Sequence, residues 1–274
     1  MSSLRGTLMV VGASDTGKST LARYLFQQLC RSGVSAAYLD GDVGQSTLGL
    51  PTTMTMALSS EPGDERFNPN GPRATYFVGS TTPRGHMLPV VVGAYRLQQK
   101  ALAMGAEAVV VDTTGLVDPA EGGRALKQWK IELLAPSTVI GLQREQELES
   151  ILWPLRREAR LHVVEWRVSP HIVERSHEAR VARRRDHLAD YLRQARPCVV
   201  SLVKMAVFEL DRLTIGALVA FQDAEGFTVA LGVVEEADCR GKTLIVRTPL
   251  PGLQAVASLR FGAARWDLAN QREL

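Results

Sequence analysis

The chain has 274 residues, of which 45% are hydrophobic and 22% charged, and its formal net charge is +3 at pH 7. Apolar residues are too plentiful for a disordered chain, and no apolar run approaches the ~20 residues that a membrane span needs. The first residues lead directly into a strand pattern, so we expect no signal peptide. Cys30, Cys198 and Cys239 form no C-x-x-C motif, so we expect no disulfide framework, no zinc site and a reducing cytoplasm.

Strand-like and helix-like segments alternate over the first part of the chain. The strand-like segments are short β-branched runs without period-two alternation, as expected for strands buried on both faces. The pattern therefore predicts an α/β fold with a mostly parallel sheet flanked by helices. Strands are predicted at 7–11, 35–40, 73–78, 108–112, 137–142 and 161–167, and helices at 19–31, 88–103, 122–134 and 146–158.

The pattern changes twice in the last hundred residues. Residues 171–194 read as a basic, arginine-rich helix, and from Pro197 onward short strand-like runs are separated by turn residues. The sequence thus predicts two parts: an α/β P-loop domain over 1–195, and a small all-β barrel or sandwich domain over 196–274. Strands of the second part are predicted at 199–208, 217–221, 228–234, 243–246 and 258–261.

A phosphate-binding loop follows the first predicted strand. Residues 12–20 read GASDTGKST, which fits G-x-x-x-x-G-K-[ST] between a strand and a helix. In such a loop, backbone N–H groups surround the phosphates, the lysine reaches the β- and γ-phosphates, and the hydroxyl binds Mg²⁺. We therefore predict a nucleoside triphosphate site with Mg²⁺ on Ser19. Its nucleotide-binding residues are Gly12, Asp15, Thr16, Gly17, Lys18, Ser19 and Thr20.

The predicted strand at 108–112 ends in an acid, Asp112. A carboxylate at that position beside a phosphate loop can hold Mg²⁺ directly or through water. The alternative is a buried strand whose aspartate only caps the next turn. No N-K-x-D motif follows a later strand, which disfavours a switch GTPase.

Two further carboxylates, Asp40 and Asp42, stand two residues apart in YLDGDVGQS. If the strand persists that far, both point to the same side at the strand end that borders the ligand crevice. An acid there can take the proton of an acceptor hydroxyl as it attacks a γ-phosphate. The alternative is a metal-shell or turn-forming pair without a base function.

With YFVGSTTPRGH at 76–86 and VVDTTGLV at 110–117, these motifs resemble the P-loop polynucleotide 5′-hydroxyl kinases. That family includes the RNA kinase subunit of the pre-mRNA cleavage complex and the ribosomal-RNA-processing kinase. The resemblance covers about 8–192, and the tail, especially 225–232, is similar to that of microbial members. It implies an ATP-dependent kinase that phosphorylates the 5′-hydroxyl end of RNA or DNA, with no membrane partner.

The resemblance also implies roles for residues. Lys18 and Ser19 would bind ATP·Mg²⁺, Asp42 would be the general base, and Asp40 would support it or the metal. Leu116 stands where the family usually has tryptophan, which can stack on a base, so we expect altered acceptor binding. We expect no counterpart of the N-terminal domain of the eukaryotic members, so adenine contacts are expected elsewhere. The substrate-binding residues implied are Gln45, Thr81, Thr113, Gly115 and Leu116.

Residues 175–192 resemble the family's lid. Arg180 and Arg184 are four residues apart and share a helix face, so both can neutralise charge on a transferred phosphoryl group. The alternative is a solvated basic helix, or one that binds a nucleic-acid backbone. The predicted catalytic residues are Lys18, Asp42, Arg180 and Arg184.

Two other functions remain open at this point: an NTPase switch or chaperone that rearranges a partner, and a catalytically weak nucleic-acid-binding scaffold. The altered residue Leu116 keeps the scaffold alternative open.

Trp129, Trp153 and Trp166 fall within helix or strand patterns, and we predict that they lie in the core and are not platforms for bases.

Overall fold

A computed structural model describes residues 5–59, 71–238 and 240–274. The start of the chain, for which no signal peptide is expected, and Cys239 lie outside the described residues. Within that part, the first sheet has seven strands. They are β1 (Gly6–Gly12), β2 (Ala36–Gly41), β3 (Thr53–Leu58), β4 (Arg73–Phe77), β5 (Ala108–Thr113), β6 (Thr138–Gln143) and β7 (His162–Arg167).

The strand order of this sheet is β4-β3-β2-β5-β1-β6-β7. Strands β2, β5, β1, β6 and β7 are parallel to one another, which confirms the mostly parallel sheet. The register aligns Val10 of β1 and Asp40 of β2 with Asp112 of β5. The carboxyl ends of these three strands therefore meet at one edge of the sheet, where ligands bind in open α/β folds.

Strand β3 is absent from the sequence-based prediction. It pairs antiparallel with β2 and β4, and the Thr55 and Thr75 hydroxyls lie 3.0 Å apart across the second of these pairs. All six residues of β3, TMTMAL, are buried. A buried strand shows no alternation, and its methionines and threonines do not form the β-branched apolar run that marked the other strands.

Helices cover both faces of the first sheet. One face packs on α1 through Leu25, Phe26 and Leu29. The opposite face packs on α2, α3 and α4, with Leu97 and Leu126 among the buried residues. The helices are α1 (Lys18–Arg31), α2 (Met87–Ala103), α3 (Gly123–Leu134), α4 (Glu149–Leu155) and α5 (His177–Leu192), and 3₁₀ turns span Pro119–Glu121 and Leu210–Arg212.

Two predicted helices are shorter in the structure. Helix α4 begins at Glu149 and not at residue 146, because the Glu147 carboxylate accepts hydrogen bonds from the backbone N–H groups of Arg144 and Glu145 and holds a turn there. Helix α5 begins at His177 and not at residue 171. Its N-cap is Ser176, whose hydroxyl accepts a hydrogen bond from the backbone N–H of Ala179 at 3.2 Å.

The prediction of three core tryptophans is wrong. Trp129, Trp153 and Trp166 are 66%, 56% and 47% exposed. The inward positions of α3 and α4 are taken by other side chains, and Trp166 lies on the edge strand β7, so all three rings face outward. The Arg157 guanidinium lies over the Trp153 ring, 5.0 Å from its centroid.

A second, separate sheet holds the C-terminal strands, which confirms the predicted all-β region. Most of its pairs are antiparallel, and β9 pairs in parallel with β13. The predicted strand at 199–208 is two strands separated by a turn. The strands are β8 (Arg196–Ser201), β9 (Ala206–Phe208), β10 (Ala217–Gln222), β11 (Thr228–Asp238), β12 (Thr243–Thr248), β13 (Ser258–Asp267) and β14 (Arg272–Glu273).

The two sheets share an apolar interface. Phe77 of β4 and Leu188 of α5 belong to one buried cluster with Leu231 and Trp266 of the second sheet. Beside this cluster, the backbone of Gly79 approaches β13 so closely that a Cβ atom at Gly79 would lie 2.7 Å from the Cα atom of Gly262. The second sheet therefore packs directly on the loop that follows β4. No helix among the described residues is long and apolar enough to cross a membrane.

Candidate active site

The phosphate-binding loop connects β1 to α1, as the sequence predicts. Gly17 has φ = +85°, a left-handed conformation that glycine adopts without strain. Gly12 is close to the neighbouring strand, and a Cβ atom there would lie 2.7 Å from the carbonyl oxygen of Leu142. The Thr16 hydroxyl closes the loop by donating a hydrogen bond to the carbonyl oxygen of Ala13 at 2.9 Å.

Lys18 lies at the start of α1 with only 6% of its surface exposed. Its ammonium group donates hydrogen bonds to the Ala13 carbonyl and to the Thr16 hydroxyl, the second at 3.5 Å. Burial lowers the pKa of this amine, while the nearby carboxylates of Asp112 and Asp42 oppose that shift. The hydrogen bonds to Ala13 and Thr16 thus hold the Lys18 ammonium group inside the loop.

Asp112, at the end of β5, is 1% exposed. Its Oδ2 accepts a hydrogen bond from the Tyr38 hydroxyl at 3.0 Å, whereas its Oδ1 has no hydrogen-bond partner among the described residues. Burial, with Asp40 nearby, raises the pKa of this carboxyl to about 6, and a hydrogen bond with Ser19 opposes the shift. An unpartnered buried carboxylate oxygen beside a hydroxyl is a donor set that suits Mg²⁺.

Asp40 holds the loop that follows β2. Its Oδ2 accepts hydrogen bonds from the Ser46 hydroxyl at 2.9 Å, from the backbone N–H groups of Thr47 and Leu48 at 2.6 and 2.9 Å, and from the Thr47 hydroxyl at 3.1 Å. Its Oδ1 accepts from the backbone N–H of Asp42 at 3.3 Å. With both oxygens used in this way, Asp40 does not fit the role of a metal ligand, which the resemblance left open, and it fits the support of Asp42 and its loop.

Asp42 lies just beyond β2, which ends at Gly41. Its Oδ1 accepts hydrogen bonds from the backbone N–H groups of Gly44 and Gln45 at 3.0 and 3.1 Å. Because the strand stops before Asp42, the expected common orientation of Asp40 and Asp42 does not occur. Asp40 is buried in its loop, while Asp42 borders an open cleft.

That cleft has a volume of about 540 Å³ and lies between the phosphate-binding loop, the loops after β2, β4 and β5, and helix α5. It brings together most of the predicted site residues. Those that line it are Asp15, Thr16, Gly17, Lys18, Ser19, Thr20, Asp42, Gln45, Thr81, Gly115, Leu116, Arg180 and Arg184.

Four predicted site residues lie outside the lining of the cleft: Gly12, Asp40, Asp112 and Thr113. Thr113 is fully buried, and its hydroxyl donates a hydrogen bond to the carbonyl oxygen of Val10 at 2.8 Å. It therefore does not fit the substrate-binding role expected for it. The next residue, Thr114, lines the cleft instead.

Helix α5 covers the phosphate-binding loop, which does not fit the alternative of a solvated basic helix. The guanidinium of Arg180 forms an ion pair with Asp15 in the loop, and its backbone carbonyl accepts a hydrogen bond from Gln45 Nε2 at 3.2 Å. Arg184, one turn later, pairs with Glu273 at 3.2 Å. The side chains of Arg180 and Arg184 are only 29% and 17% exposed.

Sequence reasoning missed two lysines on α3. Lys127 and Lys130 are fully buried, and the Lys127 ammonium donates hydrogen bonds to the hydroxyls of Thr113 and Thr114 at 3.1 and 3.3 Å. Lys130 Nζ has no hydrogen-bond partner in the described part of the chain. Burial lowers the pKa of Lys130 to about 8, opposed by Asp42 and Asp112. The signal was available, because both lysines share the inward helical spacing of the buried apolar residues of α3.

The chain matches the protein-family model described as mRNA cleavage and polyadenylation factor CLP1 P-loop, over residues 12–194. The chain belongs to this family. The solved structure of the wild-type Clp1p–Pcf11p complex matches this CLP1 P-loop protein with a TM-score of 0.70 at 14% identity, over 97% of this chain and 76% of that one. This likeness confirms the fold.

Curated relatives of this CLP1 P-loop protein include two archaeal ones. Polyribonucleotide 5′-hydroxyl-kinase MJ1315 of Methanocaldococcus jannaschii is 34% identical over 154 residues, which cover 56% of this chain and 42% of that protein. Polyribonucleotide 5′-hydroxyl-kinase PYRAB01840 of Pyrococcus abyssi is 24% identical in an alignment that covers 94% of this chain and 87% of that protein. The chain thus aligns with less than half of the first relative and with most of the second.

Proposed function

We propose that this protein is an ATP-dependent polynucleotide kinase that transfers the γ-phosphate of ATP to the 5′-hydroxyl end of RNA or DNA. The observation that carries the proposal is the common cleft, in which Lys18 of the phosphate loop and Asp42 face the arginines of α5. The relatives named as polyribonucleotide 5′-hydroxyl-kinases support the same activity.

The phosphate-binding loop would hold ATP. Its backbone N–H groups and the α1 N-terminus suit the phosphates, and the Lys18 charge suits the β- and γ-phosphates. Ser19 and Asp112 would hold Mg²⁺, and the ion, when bound, would neutralise charge on the β- and γ-phosphate oxygens. Gly12 shapes the loop by its close approach to β6, and Asp40 supports the site by ordering the residues after β2.

Asp42 would act as the general base. Two backbone N–H groups fix its Oδ1, and no described residue donates a hydrogen bond to its Oδ2. The acceptor 5′-oxygen would attack the γ-phosphorus as the bond from that phosphorus to the β,γ-bridging oxygen breaks. The hydroxyl proton would pass to Asp42, and ADP would leave.

Arg180 and Arg184 would face the transferred phosphoryl group from α5. Guanidinium groups in that position stabilise the charge that spreads over the equatorial oxygens in the transition state. Helix α5 would also exclude water from the site, which favours transfer to the acceptor over hydrolysis. Gln45, Thr81, Gly115 and Leu116 also line the cleft, and we assign them to its acceptor side, where they would contact the polynucleotide end.

The test is transfer of a labelled γ-phosphate from ATP with Mg²⁺ to RNA and DNA oligonucleotides that carry a 5′-hydroxyl. We expect labelled 5′ ends, and none on control oligonucleotides that already carry a 5′-phosphate. Labelled inorganic phosphate released at the same rate with and without 5′-hydroxyl ends, and no labelled oligonucleotide, would instead favour an NTPase switch.

Asp42→Asn is the variant that tests the proposed base. We expect phosphate transfer to fall by at least about a hundredfold, because general-base catalysis contributes roughly 10²–10⁴ in rate. ATP affinity, measured by calorimetry, should change little, because the carbonyl oxygen of the introduced asparagine side chain can still accept the two backbone hydrogen bonds. Loss of ATP binding in this variant would show that Asp42 has a different role.

A further inference from the structure

A carboxylate from the second sheet reaches the cleft. Strand β14 is paired with β13, with Glu273 opposite Trp266, and this pairing carries the Glu273 side chain to the first part of the molecule. Its Oε1 accepts a hydrogen bond from the Thr81 hydroxyl at 2.9 Å, and its Oε2 accepts one from Arg184 Nε at 3.2 Å. One side chain thus joins the loop after β4 to helix α5.

This contact differs from an exposed surface ion pair. The side chains of Arg184 and Glu273 are 17% and 30% exposed, so their charges are poorly solvated and weakly screened by salt. Arginine has large rotamer freedom, and the bond from Nε to a fixed carboxylate selects one orientation of the guanidinium. The nitrogens at the tip of the Arg184 guanidinium are not used by this bond.

The position of Glu273 is fixed by packing and not by the ion pair alone. Its strand partner Trp266 is 3% exposed and lies in the cluster shared by the two sheets. The backbone N–H of Ala264 on β13 donates a hydrogen bond to the carbonyl oxygen of Gly79 at 2.9 Å, two residues before Thr81. The second sheet is therefore attached to the same loop that Glu273 contacts.

We propose that Glu273 is a positioning residue, through which the second sheet orients Arg184 and Thr81 on the acceptor side of the cleft. This inference rests on the proposed kinase function. Through Arg184, the carboxylate acts on the transition state and so on kcat. Through Thr81, it acts on the polynucleotide and so on the acceptor KM. Among the described residues, the Glu273 carboxylate bonds Thr81 and Arg184 and not the phosphate-binding loop, so we expect the affinity for ATP to change little without it.

An inhibitory effect of Glu273 on phosphate transfer is also testable. A carboxylate at the edge of an anion-binding cleft repels phosphates if its charge is not neutralised, and it competes with them for Arg184. In that case Glu273 would restrain the enzyme, and removing its charge would increase transfer. A positioning role and a restraining role therefore predict opposite signs.

The experiment compares Glu273→Gln with Glu236→Gln, a matched change at an exposed carboxylate on β11. We expect kcat/KM for the 5′-hydroxyl oligonucleotide to fall about tenfold in Glu273→Gln, the size expected for loss of one charge-assisted hydrogen bond. The KM for ATP and the rate of Glu236→Gln should stay at the wild-type values. In an Arg184→Ala background, Glu273→Gln should lower kcat by less than about twofold further, because the two residues act together.

Unchanged or faster transfer in Glu273→Gln would overturn the proposal, as would fully additive losses of kcat with Arg184→Ala. Binding of a fluorescent 5′-hydroxyl oligonucleotide, followed by anisotropy with ADP present, gives a readout without catalysis. We expect weaker binding in Glu273→Gln than in Glu236→Gln, and equal binding would overturn the role assigned through Thr81. If the wild-type protein binds the oligonucleotide but transfers no phosphate, the proposed function fails, while this binding comparison still decides the role of Glu273.

Discussion

Buried charges of both signs share a small volume at the carboxyl ends of β2 and β5. Asp40 and Asp112 are each 1% exposed, and Lys127 and Lys130 are fully buried. Burial raises the pKa of both carboxyls and lowers the pKa of both amines. Lys130 Nζ would lie 3.7 Å from a Cβ atom at Gly41, so this amine sits directly behind the loop that carries Asp42. Hydrogen bonds from Ser46, Thr47 and Leu48 offset the burial of Asp40. Nearby opposite charges partly offset the burial of Asp112, Lys127 and Lys130.

Lys130→Met tests how much the burial of the Lys130 amine lowers the free energy of unfolding. The pKa of Lys130 is about 8 in the folded protein and 10.5 in an unfolded chain, so the unfolded state binds more protons between these values. The free energy of unfolding of the wild type should therefore fall as the pH drops from 10.5 to 8, by about 3 kcal/mol from this group, and stay low below pH 8.

The measurement is urea unfolding of both proteins at about pH 7, below both pKa values of Lys130, and at about pH 10.5, well above its pKa in the folded protein. We expect Lys130→Met to be more stable than the wild type at the lower pH, since methionine has a similar shape and no charge to desolvate. The difference should shrink at the higher pH, where the amine is neutral in the folded protein and no charge has to be desolvated there. Lower stability of the variant at neutral pH would mean that the attraction of Asp42 and Asp112 exceeds the desolvation cost.

At the scale of elements, α5 and the segment before it form the cover of the phosphate-binding loop. Residues 171–176 are not helical, and they run across the loop: Ile172 Cδ1 would lie 2.6 Å from a Cβ atom at Gly17, and the backbone N–H of Arg175 donates to Asp15 at 3.3 Å. The Ser176 cap then starts the helix at the point that places Arg180 beside Asp15.

Ser176→Ala removes this cap. The loss of an N-cap hydroxyl costs about 1 kcal/mol, so the backbone amide of Ala179 should exchange its hydrogen about fivefold faster if the first turn of α5 opens locally. Hydrogen-exchange mass spectrometry or NMR of the first turn measures this change. Ser176→Asp is the control, because aspartate also caps helices, and equal exchange in both variants would show that the hydroxyl does not stabilise the start of α5.

At the scale of the whole molecule, the two sheets are joined by a common apolar core. Trp266 contributes to it from β13, with Leu188 and Leu192 of α5 and Phe77 of β4. The boundary that we propose between the P-loop domain and the β domain, at residues 195 and 196, coincides with the start of β8 at Arg196. The apolar part of the interface across that boundary includes Leu188 and Leu192, so the second sheet supports the helix that carries the site arginines.

Trp266→Ala should destabilise the protein strongly, since removing a buried aromatic ring costs about 3–5 kcal/mol. Trp129→Ala is the matched control, because Trp129 is 66% exposed and its removal should change the free energy of unfolding by about 0.5 kcal/mol or less. Urea unfolding of the full chain measures both values. Similar small losses in the two variants would show that the shared core does not depend on Trp266.

Sequence patterns predicted several elements because their signals are local. The phosphate-binding loop, the strand that ends near Asp112 and the helices α1, α2 and α3 each follow from a motif or an apolar period within one segment. Strand β3 was not predicted, because its burial depends on β2 and β4 and leaves no alternation of buried and exposed residues in TMTMAL. The tryptophans were misjudged because a helix or strand pattern does not tell which face of an outer element meets solvent.

What the sequence determined by itself is the chemistry available at the carboxyl ends of the strands: a phosphate loop, aspartates at the ends of two other strands and an arginine-rich helix. Only the tertiary structure separated the roles of Asp40 and Asp42, moved Thr113 behind the cleft and brought Glu273 to Arg184. The reason is physical: residue type and local period fix backbone form, whereas hydrogen-bond partners distant in the chain decide where a polar side chain can be buried.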